Sequence, residues 1–147
     1  MNYSPILAPV VALVAWTLVV MIWMFATRFP AMSRKGISLK DRVGSRGSDL
    51  DGVVEPQAQW KAHNYNHLME QPTLFYAIAI VLALIGGGDI QINVWLAWGY
   101  VALRVLHSLI QATSNVVRYR FLAFLGASIC LLGLTVHAGA MILHPHG

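Results

Sequence analysis

Three groups of polar side chains stand in apolar surroundings and could do chemistry together. His63, His67 and Glu70 lie at i, i+4 and i+7 on one face of a helix, with Asn66 beside them. Arg104, His107 and Gln111 share a face of a second helix at i, i+3 and i+7, and Arg118 and Arg120 open a third. Within a bilayer an ionisable side chain costs about 2.5 to 3.5 kcal/mol, so each of these is a candidate for function.

Three chemistries fit these residues. An interhelical ion pair between Glu70 and Arg104 would hold the helices together, with the histidines and Asn66 hydrogen-bonding one another. The cations Arg104, Arg118 and Arg120 outnumber the one acid, Glu70, so an anionic ligand would balance them. His63, His67 and Glu70, joined by His107, also have the spacing of a histidine-carboxylate metal site on facing helices. No metal ligand is assigned among the expected site residues.

The elements that must position these groups follow from composition. The 147 residues are 57% hydrophobic and only 11% charged, too little polar surface to coat a soluble globule, so the chain is expected to be an all-α integral membrane four-helix bundle of one domain, residues 1–147. Spans are read at 6–26, 58–85, 92–112 and 121–143. The first is not expected to be a cleaved signal, since no Lys or Arg precedes it, the run is long for one, and Thr27-Arg28 ends it. Pro72 kinks the second, Gly86-Gly87-Gly88-Asp89 separates the second from the third, and Trp95, Trp98 and Tyr100 place the start of the third at the interface. Ala123, Gly126, Ala127, Cys130, Gly133 and Ala140 give the fourth span a face of small residues for close packing.

Charge distribution sets the expected topology. Arg28, Arg34, Lys35, Lys40, Arg42, Arg46 and Lys61 lie in or beside the loop at 28–56, and Arg118 and Arg120 precede the fourth span, so both loops are read as cytoplasmic and both termini as non-cytoplasmic. Asp41, Asp49, Asp51 and Glu55 temper the loop's charge, which reads as a polar, partly irregular cap. The net charge of +4 does not signal nucleic acid, because the basic residues form no aromatic-interleaved patch. Cys130 has no disulfide partner and reads as packing; His144 and His146 read as solvated or interfacial. In this topology Glu70 and Arg104 each lie about 15 Å inward from the cytoplasmic side and should meet, with Arg120 at the mouth of the same bundle.

In order and spacing these residues resemble the membrane-associated proteins in eicosanoid and glutathione metabolism, the MAPEG family. The resemblance covers most of the chain: four spans, a polar loop, the stretch 61–72 running through His63, Asn66, His67 and Glu70 to Pro72, the sequence Arg104-Val105-Leu106-His107, and Arg120. The stretch 61–72 looks like a bacterial branch, which implies a bacterial inner membrane. The resemblance implies a homotrimer with glutathione held between subunits near the cytoplasmic face. Carried over, Glu70 would take the α-amino group, Asn66, His67 and His107 would lie beside it, and Arg120 would meet a carboxylate or the thiolate. Arg118 and Arg120 point to different sides of a helix, and the family spacing from Arg104 selects Arg120.

Departures from the family pattern bear on chemistry. His63 and His67 stand where many members have an arginine and then an asparagine, Gln111 where the eicosanoid-processing members have a tyrosine, and Phe124 replaces another ring hydroxyl. The function implied is a glutathione transferase or peroxidase acting on lipophilic electrophiles or lipid hydroperoxides that arrive through the bilayer. Arg120 is its catalytic residue, and His63, Asn66, His67, Glu70, Arg104, His107 and Gln111 bind substrate. The missing hydroxyls support a second reading, a non-catalytic scaffold of the same family that binds lipid or a partner membrane protein.

Overall fold

A computed structural model describes residues 3–40 and 42–144; Asp41 and His146 of the readings above lie outside them. Helix α1 (Leu7–Arg34) is followed by a 3-10 turn (Gly47–Leu50), then α2 (Pro56–Leu68), α3 (Pro72–Leu84), α4 (Gln91–Ala112) and α5 (Val117–Leu143). Among the described residues there is no strand. Helix α1 runs past the stop expected at Thr27-Arg28 with Pro30 inside it, so its last turns form a stalk beyond the apolar span.

Three stretches are long and apolar enough to cross a membrane: Leu7–Arg34, Pro56–Leu84 and Val117–Leu143. The second is α2 and α3 together. The 22 residues of α4 also reach across a hydrocarbon core of about 30 Å. Its hydropathy is diluted by Asn93, Arg104, His107, Ser108 and Gln111, all of which are buried. Helix α4 is thus the polar spine of a four-rod bundle, its hydrogen-bonding groups turned away from lipid.

Helix α4 lies closest to α5, and the small residues of α5 are the reason. A Cβ on Gly126 would meet Leu103 Cδ1 at 3.0 Å and one on Gly133 would meet Leu96 Cδ1 at 3.1 Å, while Ala123 and Ala127 are buried. Tyr100 is a correction to the interfacial reading. It is fully buried and its ring stacks on Phe75 at 4.4 Å in a core shared with Leu13, Val20 and Leu134, while Trp95 and Trp98 are exposed. One period along α4 points inward, and Tyr100 lies on the same side as Ala97, Arg104 and His107.

Two helix ends matter for the site. Proline 72 does more than kink the second rod: it starts α3 at a position where the missing N–H costs nothing, and the chain breaks between Leu68 and Pro72. At the other end of α3, Gly86 adopts φ +81° and Gly87 N–H donates to the Leu82 carbonyl at 2.8 Å, closing the helix. Gly88 then receives the Ile6 N–H at 3.3 Å, tying the amino-terminal segment to this turn. A Cβ on Gly88 would strike Ser4 Oγ and meet Ala83 Cα at 3.0 Å. Gly88→Ala should therefore cost about 1–3 kcal/mol by overpacking, read as a lower thermal midpoint in detergent; an unchanged midpoint would show that the turn gives way freely.

Candidate functional site

The break after α2 builds the centre of the site. The last carbonyls of a helix lack partners within it and carry the negative end of its dipole. Arg104, from the middle of α4, fills that place: its Nη2 donates to His67 Nδ1 at 2.9 Å and to the His67 carbonyl at 3.0 Å. Its guanidinium also stands over the Phe124 ring at 5.9 Å. Arg104 is 0% exposed, and its Nε and Nη1 have no hydrogen-bond partner among the described residues.

Glu70 does not take the role expected of it. No Glu70–Arg104 ion pair forms among the described residues, where the salt bridges are Arg34–Glu55 at 3.4 Å and His63–Asp51 at 3.0 Å. The i, i+7 spacing put Glu70 on the face of His63 only if the helix were continuous. It ends at Leu68, so Glu70 turns outward, exposed, and precedes the start of α3, where an acid is favoured by the dipole.

The two histidines do come together. Their rings stack at 4.7 Å and 27°, and Phe124 meets His67 edge-on at 5.7 Å. His107 Nδ1 lies 2.7 Å from the Arg120 carbonyl and Nε2 lies 3.1 Å from the Gln111 side-chain amide. Both partners are acceptors, the second being Gln111 Oε1, so a neutral ring gives its one hydrogen to the nearer, the carbonyl. His67 is fixed the opposite way. Because Nδ1 accepts from Arg104, a neutral His67 carries its hydrogen on Nε2, at the half-buried edge of the cluster.

The remaining candidates surround this core at different distances. His63 is exposed and bonds Asp51 of the loop, which separates it from His67 and dissolves the histidine-carboxylate metal set; among the described residues no group of three His, Cys, Asp or Glu could hold a metal. The Gln59 amide at 2.6 Å, with His63 beside it, holds the Asp51 carboxyl below its usual range. Asn66 is exposed. Arg118 is exposed, whereas Arg120 is half-buried and its Nη1 donates to Asn115 Oδ1 at 2.7 Å. Asn115, at φ +52°, turns the chain between α4 and α5 and fixes that guanidinium at the rim.

Several interior polar residues escaped the sequence reading. Asn64, 0% exposed, donates to Ser108 Oγ at 2.7 Å, which also accepts from Trp16 Nε1 at 3.0 Å, joining α1, α2 and α4. Gln71, in the break, donates to Ser128 Oγ at 2.8 Å and accepts from the Tyr100 hydroxyl at 3.3 Å. At the far end of the bundle Asn93 joins Gly87 and His137. Neutral amides and hydroxyls raise no alarm in an apolar sequence, but His137 lay in the fourth span and was a legible signal.

The arrangement can present one oriented N–H donor, at His67, backed by a buried positive charge. Exposed Glu70 and Asn66 and rim-held Arg120 flank it. No curated protein and no solved structure gives a significant match to the chain. Residues 6–140 match the family model described as MAPEG family, and since this is nearly the whole chain and includes every residue of the site, the protein belongs to the MAPEG family.

Proposed function

We propose that the protein is a glutathione-dependent membrane enzyme of the transferase or peroxidase type, acting on lipophilic electrophiles or lipid hydroperoxides. The observation that carries this reading is the buried Arg104 guanidinium. No carboxylate neutralises it within hydrogen-bonding reach among the described residues, and two of its nitrogens are unpartnered. Burying such a charge is costly unless it is used, and the dipole of α2 offsets only part of the cost.

The charge works through His67. Arg104 fixes the ring so that Nε2–H faces outward, and its field strengthens that hydrogen bond to an anion. A glutathione sulfur placed there would be favoured as thiolate. Glu70 would hold the tripeptide's ammonium, with Asn66 beside it, and Arg120 would hold a carboxylate or share the thiolate. His63 would contribute at the loop side, and His107 and Gln111 set the orientation of the ring stack. In conjugation the thiolate forms a C–S bond as the electrophile's leaving group or π-electron pair departs. With a hydroperoxide, the thiolate attacks the terminal oxygen, the O–O bond breaks and the alcohol leaves after taking a proton, and the resulting sulfenic acid condenses with a second glutathione to the disulfide with loss of water.

The reading includes a homotrimer with sites between subunits, both termini on the non-cytoplasmic side, and residence in a bacterial inner membrane. Support for the orientation is the basic loop between α1 and α2, with Arg118 and Arg120 on the same side. A second reading, a non-catalytic family scaffold, is favoured by Gln111 and Phe124, whose side chains are occupied by His107 and the ring stack and offer no hydroxyl.

Calorimetric titration of glutathione into detergent-purified protein separates the two. Saturable binding is expected, weakened about tenfold or more in Arg120→Ala through loss of a charge-assisted bond. Absence of binding at millimolar glutathione would overturn the enzyme reading and leave the scaffold.

A further inference from the structure

Away from the Arg104 cluster, the loop between α1 and α2 folds back over the stalk of α1 and forms with it a half-open cavity of about 330 Å³. Its floor is apolar: Phe25, Phe29, Met32 and Leu50. Its rim carries the guanidinium-bearing residues Arg28, Arg42 and Arg46. The cavity is built by specific bonds. Arg28 donates to the Gly47 carbonyl and lies so close that a Cβ on Gly47 would meet its Nη2 at 3.0 Å. Arg42 donates to Ser45 Oγ at 3.2 Å, and Ser45 in turn to Asp49. Beneath them Leu50 and Val54 bury against Ala31, Met32 and Ala58.

Among the described residues, the nearby acids Asp49 and Asp51 are engaged in the loop's own bonds. Asp49 accepts from the Arg46 backbone N–H at 2.8 Å and from Ser45, and Asp51 from Gln59. Among the described residues none of the three rim arginines forms a salt bridge. The floor, in turn, is continuous with an exposed apolar side of α1. Phe25 and Phe29 stack at 5.4 Å with 41% and 50% of their surfaces exposed, in line with exposed Leu18 and Ile22.

A small soluble anion would have no use for that floor, and an apolar guest none for that rim. An amphiphile with an anionic head uses both. We propose that this cavity binds one anionic phospholipid of the adjoining leaflet per subunit. Its phosphate lies between Arg42 and Arg46, and its first methylenes rest on Phe25 and Phe29, whence the chains run into the bilayer along α1. Basic residues beside a span attract anionic lipid in general; the cavity turns that attraction into a single seat.

Native mass spectrometry of the detergent-purified protein with equal phosphatidylglycerol and phosphatidylcholine tests this. One phosphatidylglycerol per subunit is expected to be retained in preference to phosphatidylcholine. Arg42→Gln with Arg46→Gln should weaken it roughly thirtyfold, at about 1 kcal/mol for each cation. Arg118→Gln, an exposed cation outside the cavity, should leave it unchanged. Both altered rim residues are exposed, so the double variant should keep the thermal midpoint of the wild type. Equal retention of the two lipids, retention by the double variant, or uptake of inorganic phosphate with the same stoichiometry and no lipid preference would overturn the proposal.

Discussion

Arg104→Met is expected to lower glutathione thiolate formation about 10²-fold while leaving the thermal midpoint of the bundle unchanged or higher. The two effects have opposite origins. Arg104 makes two hydrogen bonds to the end of α2, at 2.9 and 3.0 Å, which favour the folded bundle. Against them stand the burial of a full charge and two unpartnered nitrogens, for which an apolar side chain of similar length substitutes without penalty. If Arg104 served only to fasten α2 to α4, its removal would lower stability and nothing else would change. If it charges the site, removal frees His67 Nδ1, lets the ring take either tautomer, and withdraws the field that favours an anion at Nε2. The ultraviolet band of the thiolate, followed as glutathione is titrated in, reads the second effect, and a melting curve reads the first. Arg104→Lys should restore part of the thiolate signal, because an ammonium supplies charge but reaches the two acceptors as a point rather than a fork. A variant that melts early and forms thiolate like the wild type would overturn the assignment.

The parts of this molecule legible in its sequence are those governed by one-dimensional rules. Apolar run lengths give the helical rods, and glycines at 126 and 133 foretell the close approach of α4 and α5. Periodicity also brought Arg104, His107 and Gln111 to one buried face. It failed at Glu70 because a helical wheel assumes an unbroken helix, and Pro72 ends that assumption two residues later. The same break supplied what periodicity could not show, a helix end whose carbonyl and histidine receive Arg104. His63 went astray for a related reason: its partner, Asp51, lies in a loop whose path no repeat describes. Tyr100 was assigned to the interface from residue type alone, although its spacing from Arg104 placed it on the buried face.

Asn93→Leu should be among the most destabilising single changes in the chain, costing about 2–4 kcal/mol, even though it removes a polar residue from an apolar interior. Asn93 is 0% exposed on the same helix as Arg104, so a rule that buried polar groups weaken membrane bundles would give both substitutions the same sign. Their hydrogen-bond valences separate them. The Asn93 amide donates to the Gly87 carbonyl at 2.7 Å and its oxygen accepts from His137 Nδ1, also at 2.7 Å, so one side chain fastens the α3–α4 turn to α5. Leucine would leave that carbonyl with only the longer bond from the Ile90 N–H at 3.3 Å and would take from the ring nitrogen its partner. Thermal unfolding in detergent measures the cost, and a double-mutant cycle with His137→Leu tests its source. Because the pair shares one bond, the combined variant should lose less than the sum of the two single losses, by about 0.5 kcal/mol or more. Strict additivity would show that Asn93 acts by filling space beside Gly87. A polar residue in this bundle is thus expected to stabilise it when its bonds are complete, and to be kept at a cost in stability when, like Arg104, its bonds are left open for something else.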